Sequence, residues 1–509
     1  MNNLFSSLIM RNLFLLKFLL VVALLCPTLP TLADTTDDEQ ALTQYFYHHL
    51  LNMNPRLPDL SAIDWTDVSS AQEMVWRAWQ QANAQLVEDG LPTLAPLTNE
   101  DYNRWILPKD LEPSAVMPFY FGYKGEASER PETGYPMYIF LHGSGEKDEE
   151  FALAYNLCRK FEDAPSVYFI PQIPNEGDYY RWWQKSKQYA WERLIRLAML
   201  NPDIDPDRLF FIGISEGAYG SQRLASFYGD YLAGAGPMAG GEPLKNAPAE
   251  NCFNLAFNLR TGANDTGFYR STLTSYAEQA FKKLKTGWPD AFNYSISLVP
   301  DCAHKIPYDE TTPWLAQQPS RNPYPKNVQW ENFDMDGQKR HGYFNLWEEE
   351  NPLGTKSGRV FYTQMINDNV VTLTIDKVSY TVMETRDGID LRWNKSRKAL
   401  TTGKLRVYLN PELIDPTRPV TVKANGQVYF YGVLEPSLAD MATSVSGYYD
   451  KRRIYPASVL VDLAAPLTGI QHAKTSTKQV PVFDLSGRRI QPNQPGIQID
   501  ANGQKKIVR

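Results

Sequence analysis

Asp207-Arg208-Leu209-Phe210-Phe211-Ile212-Gly213-Ile214-Ser215-Glu216-Gly217-Ala218-Tyr219-Gly220 decides the reading of this chain. Leu209 to Ile212 is a short apolar run bounded by Pro206 and Gly213, as a strand buried in a parallel sheet should be. Ala218 to Ser226 reads as a helix. Between them stands Gly213-Ile214-Ser215-Glu216-Gly217, a G-x-S-x-G. Small residues two before and two after the serine allow a sharp, strained strand-to-helix turn that projects Oγ from the end of a sheet. A glycine-rich turn with no chemistry has the same five letters. The strand before and the helix after favour a presented nucleophile.

A serine nucleophile needs a general base and a group that orients the base. Only six histidines are available: His48, His49, His142, His304, His341 and His472. Asn254 to Leu259 reads as a strand and leads into the polar turn Thr261-Gly262-Ala263-Asn264-Asp265-Thr266-Gly267-Phe268. A helical stretch, Ser271 to Lys285, returns to the strand Tyr294 to Val299, followed by Pro300-Asp301-Cys302-Ala303-His304. The order is therefore Ser215, Asp265, His304, each just after a separate strand, where sites of open α/β sheets form. Asp301 is the rival acid, on the same loop as His304, and Asp265 has the alternative role of stabilising an Asx turn. The template order favours Asp265.

Another strand, Met137 to Leu141, ends in His142-Gly143-Ser144-Gly145. Glycines there let backbone N–H groups approach a developing oxyanion. The expected donors are the N–H of Glu216 and an N–H from Gly143 or Ser144. Together these residues resemble the α/β-hydrolase superfamily, closest to secreted esterases of the polyhydroxybutyrate-depolymerase and feruloyl-esterase type. The resemblance runs from about Trp105 to about Thr312. It rests on Ser215 in Gly-Ile-Ser-Glu-Gly, Asp265 in Gly-Ala-Asn-Asp-Thr-Gly-Phe, His304 in Cys-Ala-His-Lys, and the His142-Gly143 loop. The chain departs from that pattern at Ala218-Tyr219, where many relatives pair glycines, and at Ala303, where relatives often have glycine. The resemblance implies a doubly wound α/β sheet, a catalytic serine triad and hydrolysis of carboxylic esters, with feruloyl or acetyl esters of plant polysaccharides as substrates. It calls for no metal and no organic cofactor. A serine peptidase of prolyl-oligopeptidase type shares the triad order but usually carries an N-terminal β-propeller, which the helical start here does not resemble. A silent surface glycan-binding protein is the non-enzymatic alternative.

Tyr179-Tyr180-Arg181-Trp182-Trp183 follows the strand Val167 to Ile170. Tyr180, Trp182 and Trp183 are therefore candidate substrate contacts, with packing under a loop as the alternative.

Arg11 and Lys17, the apolar run Phe18 to Cys26 and the small-residue site Thr31-Leu32-Ala33 read as a signal peptide over residues 1–33. The apolar run is too short to span a bilayer comfortably, and no other long apolar run exists. The expected location is secreted or at the cell surface, with the periplasm as an alternative. Cys158, Cys252 and Cys302 remain, an odd number that leaves a free thiol. The net charge of −7, with no basic stripe, argues against nucleic acid as a partner.

Residues 34–104 read as a helical extension and residues 105–312 as the α/β unit. The Pro-rich segment 313–328 reads as a linker. Short alternating runs with Asp387-Gly388 and Asn425-Gly426 turns make 329–463 an antiparallel β-domain, a sandwich by pattern. Residues 464–509 read as a linker and a tail that resembles the C-terminal sorting tails of type IX-like secretion.

Overall fold

The computed structural model describes residues 37–98, 102–175, 181–355 and 357–467, with the backbone of short strands at 482–483, 489–490, 496–499 and 505–508. The expected leader, Cys26 and Tyr180 lie outside the described residues. Two helices come first, α1 (Asp37–Leu50) and α2 (Val68–Ala84). Val68, Ala71, Val75, Ala78, Trp79 and Ala82 recur at helical spacing and are all buried.

Eight strands then build one sheet: β1 (Asn103–Ile106), β2 (Val116–Lys124), β3 (Tyr135–Leu141), β4 (Ser166–Pro171), β5 (Ile204–Ile214), β6 (Gly234–Met238), β7 (Ala256–Gly262) and β8 (Tyr294–Val299). Their order is β1-β2-β4-β3-β5-β6-β7-β8. β2 is antiparallel to β1 and β4, and all the other neighbours are parallel. This is the expected α/β-hydrolase architecture. Helices α3 (Lys147–Lys160), α4 (Lys185–Leu200), α5 (Glu216–Tyr228) and α6 (Arg270–Gly287) connect the parallel strands. Every residue of β3 and β4 is buried, because helices cover both faces. Tyr138 stacks between Tyr168 and Phe210, with centroids at 5.3 and 4.9 Å. The chain goes from β3 to β4 on one side and then crosses to β5 on the other. The switch point, where crevices open at strand ends, therefore lies between β3 and β5.

The segment 313–328 is not a free linker. Helix α7 (Thr311–Ala316) covers β6, and the Arg321 side chain is fully buried. The next strands are β9 (Asn327–Asn332), β10 (Gly342–Tyr343), β11 (Leu346–Glu350), β12 (Arg359–Asn367), β13 (Val370–Arg386), β14 (Ile389–Ala399), β15 (Lys404–Leu409), β16 (Val420–Ala424), β17 (Gln427–Gly432) and β18 (Ala457–Asp462). They form a six-stranded sheet, β17-β16-β13-β12-β9 with β14 on β13, facing a four-stranded sheet, β10-β11-β15-β18. The sandwich is antiparallel except for β13 against β16, which run parallel. Positive φ at Asp387 and Gly388, and at Asn425 and Gly426, matches the tight hairpin turns the sequence announces.

Helix α8 (Leu438–Tyr448) belongs to this β-domain and receives the N-terminal helices. Trp79 stacks on Tyr449 at 5.7 Å, and Leu42, Phe46 and Val75 share one core with Met441 and Val445. The extension thus packs chiefly on the β-domain and reaches the α/β unit through Arg193 and Arg196, which pair with Glu88.

A buried ionic seam joins the two larger units. Arg321 pairs with Asp207 at 2.6 Å and with Asp450 at 2.9 Å. Arg453 pairs with Asp230 at 2.6 Å and with Asp450 at 2.8 Å. The hairpin β13–β14 adds a second tie. Its Glu384 accepts from Tyr276 at 2.7 Å, its Asp387 accepts from Tyr269, and its Lys395 pairs with Glu250 at 2.7 Å. In the tail, β19 (Val482–Phe483), β20 (Arg489–Ile490), β21 (Gly496–Ile499) and β22 (Lys505–Val508) pair in a small sheet of their own.

Candidate active site

Ser215 stands at the junction of β5 and α5 with φ 56° and ψ −112°, a conformation that residues with a side chain avoid. Its neighbours enforce it. A Cβ on Gly213 would lie 2.3 Å from the Gly217 carbonyl oxygen, and one on Gly217 only 1.9 Å from that of Leu141. Neither position has room for anything but glycine. The Ser215 N–H donates to the Met238 carbonyl at 3.0 Å, which ties the elbow to the end of β6.

The loops after β7 and β8 are pressed together. A Cβ on Gly262 would meet the Ala303 oxygen at 1.9 Å, and the Asn264 N–H donates to the Cys302 carbonyl at 2.8 Å. This contact carries His304 over Asp265. His304 Nδ1 lies 2.8 Å from Asp265 Oδ2, and Nε2 lies 2.9 Å from Ser215 Oγ. A carboxylate only accepts, so Nδ1 carries the hydrogen and Nε2 is free to take the serine proton. Asp301 is exposed, with φ 58°, in the turn after β8. The acid in contact with His304 is Asp265.

Asp265 is buried, and Arg270 grips both of its oxygens, Nε to Oδ2 at 2.8 Å and Nη2 to Oδ1 at 2.7 Å. Burial alone would raise this carboxyl, but the hydrogen bonds from Arg270 and His304 hold it below the usual range. Arg270 also donates to Tyr219 Oη at 3.3 Å.

The expected oxyanion loop needs one correction. The Gly143 N–H donates to Glu150 Oε2 and the Gly145 N–H to Glu150 Oε1, both at 3.1 Å. Gly143 is therefore not an available donor. Among the described residues nothing accepts from the Ser144 N–H, and Ser144 is exposed. The Glu216 N–H opens α5 and has no intrahelical partner. His142 is buried beneath the loop. Its Nδ1–H donates to the Gly143 carbonyl at 2.7 Å, and its Nε2 accepts from the Ile173 N–H at 3.1 Å. Burial lowers this imidazole to about 4 despite the Gly143 carbonyl, so it stays neutral and acts as a brace.

The aromatic cluster divides three ways. Tyr180 lies outside the described residues. Trp182 is fully buried and offers no face to a substrate. Its Nε1 donates to the His142 carbonyl at 3.0 Å, and its ring packs edge-on to His142 at 4.9 Å. The alternative reading, packing under a loop, describes it. Trp183 is half-buried, with the Arg223 guanidinium 3.9 Å from its ring centroid. One of its faces is therefore taken, and Arg223 in turn pairs with Glu242 at 2.6 Å. Glu216 is only 7% exposed as a residue, and its carboxyl is pushed up to about 7 by burial and by Glu242, against Arg223 and Arg181.

A cavity of about 300 Å³ borders Ser215 and His304 and is walled by Phe140, Leu153, Ala154, Leu157, Ile214 and Tyr308, with Glu150 at its edge. Three partners escape sequence reasoning: Arg270, Tyr219 and Glu150. Arg270 lies five residues past Asp265, but nothing distinguishes it from other arginines. Glu150 sits in the acidic first turn of α3, where carboxylates are ordinary. Cys158, Cys252 and Cys302 are all free thiols.

No family model matches the chain, and no curated protein matches it. Solved structures do. They include a thermostable esterase at 17% identity and TM-score 0.33, over 42% of this chain and 59% of that one. A carboxylesterase from Mesorhizobium loti matches at 18% identity and TM-score 0.31, over 43% of this chain and all of that one (100%). A ferulic acid esterase from Anaeromyces mucronatus matches at 12% identity and TM-score 0.30, over 46% of this chain and 98% of that one. This chain thus spans little more than half of the thermostable esterase. Scores this low add nothing about activity, which has to be read from the residues of the site.

Proposed function

We propose that the chain is a secreted serine hydrolase of carboxylic esters. The observation that carries this is the hydrogen-bonded chain from Ser215 Oγ through His304 to Asp265, set on a strained elbow. Ser215 Oγ attacks the ester carbonyl carbon and its proton passes to His304 Nε2. Asp265 holds the Nδ1–H tautomer and balances the imidazolium. The N–H groups of Glu216 and Ser144 receive the oxyanion, each worth about 3 kcal/mol of transition-state stabilisation. Collapse expels the alcohol, which takes the proton from Nε2, and water repeats the sequence to free the acid.

The cavity beside Ser215 has one apolar wall, Phe140, Leu153, Ala154, Leu157 and Ile214, that suits an acyl group. His304 is 46% exposed at its side chain, so the nucleophile opens near the surface rather than at the foot of a tunnel. An ester carried on a bulky polymer can reach such a site, which supports feruloyl or acetyl esters of plant polysaccharides. p-Nitrophenyl acetate, feruloylated and acetylated xylan fragments, and aminoacyl nitroanilides separate the readings. Ester cleavage abolished by Ser215→Ala is the expected result. Amide cleavage at a comparable rate favours a peptidase, and silence on every substrate refutes the enzyme.

A further inference from the structure

Away from Ser215, His304 and Asp265, a cleft of about 600 Å³ runs between α6 of the hydrolase unit and β14 of the β-domain. Its walls are largely apolar and aromatic, with Leu244, Tyr276 and Trp288 on one side and Leu391 and Trp393 on the other. Clefts of this size at a domain boundary, apolar with a few polar groups, are where small molecules bind.

Three polar features of this cleft lack an anionic or hydrogen-bond-accepting partner among the described residues. Trp393 Nε1 is buried and has no acceptor. An indole N–H can only donate, so the cleft wants an acceptor there. Lys245 places its ammonium 5.6 Å from the Trp393 ring centroid, and among the described residues it pairs with no carboxylate. Lys283 lines the same cleft, also with no ion pair among the described residues. The neighbouring cations are already neutralised. Lys395 and Arg397 both hold Glu250, at 2.7 and 3.2 Å, and Arg392 faces Glu384 at 3.6 Å. The surplus in the cleft is therefore positive, and it stands beside flat apolar walls.

From this complementarity we propose that the cleft is a second binding site, for a small amphipathic carboxylate with a planar apolar body. The ring lies against Trp393, Tyr276 and Trp288, and the carboxylate accepts from the Trp393 indole while facing Lys245 and Lys283. A neutral sugar would leave both ammonium groups unanswered, and a cation would be repelled. The site is independent of the chemistry assigned to Ser215.

Calorimetric titration of the full chain with 1-naphthoate tests this. Saturable one-to-one binding is expected, weakened about tenfold by Trp393→Phe, which keeps the ring and loses the donor, and by Lys245→Met. 1-Naphthalenemethanol, of the same shape without the charge, is expected to bind at least tenfold more weakly. Equal affinity for the alcohol overturns the proposal, as does affinity unchanged in both variants, which places the ligand elsewhere. No binding at millimolar naphthoate overturns it too, and so does preferential binding of xylohexaose. Melting curves check that each variant is folded. Lys283→Met, at an exposed position, gives the same reading if one of the others is not.

Discussion

Replacing Asp265 by Asn tests the geometry of the site more sharply than deleting the serine. An amide has one acceptor where the carboxylate has two, so its orientation decides the outcome. The Oδ2 corner receives two N–H groups, from His304 Nδ1 and Arg270 Nε, whereas the Oδ1 corner receives one, from Arg270 Nη2. Turning the amide nitrogen toward His304 sets it against two donors. Turning it the other way sets it against one. Each mismatch of a buried donor costs about 1–3 kcal/mol, so the oxygen is expected to stay at the histidine. His304 then keeps its working tautomer. What disappears is the negative charge opposite the imidazolium, worth about 2–3 kcal/mol, or roughly 30- to 150-fold in kcat. That is well short of the roughly 10⁴-fold loss seen where an asparagine presents its nitrogen and imposes the wrong tautomer. The assay is kcat for p-nitrophenyl acetate, with ¹⁵N chemical shifts of His304 reporting the tautomer. A loss near 10⁴ together with an Nε2–H imidazole would refute the reasoning, because Arg270 would then not be orienting the amide. Asp301→Asn, made in parallel, is expected to be nearly silent.

Two further outcomes follow from the elbow. Gly217→Ala places a methyl group 1.9 Å from the Leu141 oxygen, so a loss of about 3 kcal/mol or more is expected in denaturant melts. A variant as stable as the parent would mean that the turn is not held as described. Glu216, with its carboxyl raised to about 7, takes up a proton on folding between about pH 4.3, its unfolded value, and that point. Its contribution to stability therefore falls as pH rises through this window. Glu216→Gln is expected to gain on the parent from pH 4 to pH 8, and parallel stability curves across that range count against a buried, unpaired carboxyl.

Much of the α/β unit is legible because its central strands are apolar runs and each candidate residue sits one loop beyond a strand. β6 is not legible, and the reason is packing. Gly234-Ala235-Gly236-Pro237-Met238 has no β-branched residue, yet it is a fully buried strand. A Cβ on Gly236 would lie 2.5 Å from the Thr311 methyl, so the segment is small because α7 lies on it. That requirement is written some seventy residues downstream. The same holds at the site. The choice of Asp265 over Asp301 comes from template order, whereas the clamp of Arg270 on Asp265 and of Glu150 on the glycine loop depends on side-chain directions that no spacing rule carries. Trp182 shows the converse error. An aromatic near a strand end looks like a platform, but its indole N–H has a buried carbonyl to satisfy, and it turns inward.

The ionic seam bears on how this chain matures. Asp230 finds its partner Arg453 223 residues later, and Asp207 finds Arg321 114 residues later. A ribosome finishes β5 and α5 long before either guanidinium exists. Asp230 has one further partner, Arg340, itself 110 residues on, so neither acid has its seam partner while β5 and α5 are being made, and burying an unpaired acid beside the sheet is costly. Final packing of this face of the α/β unit is thus expected only once residues 321 to 453 have been made.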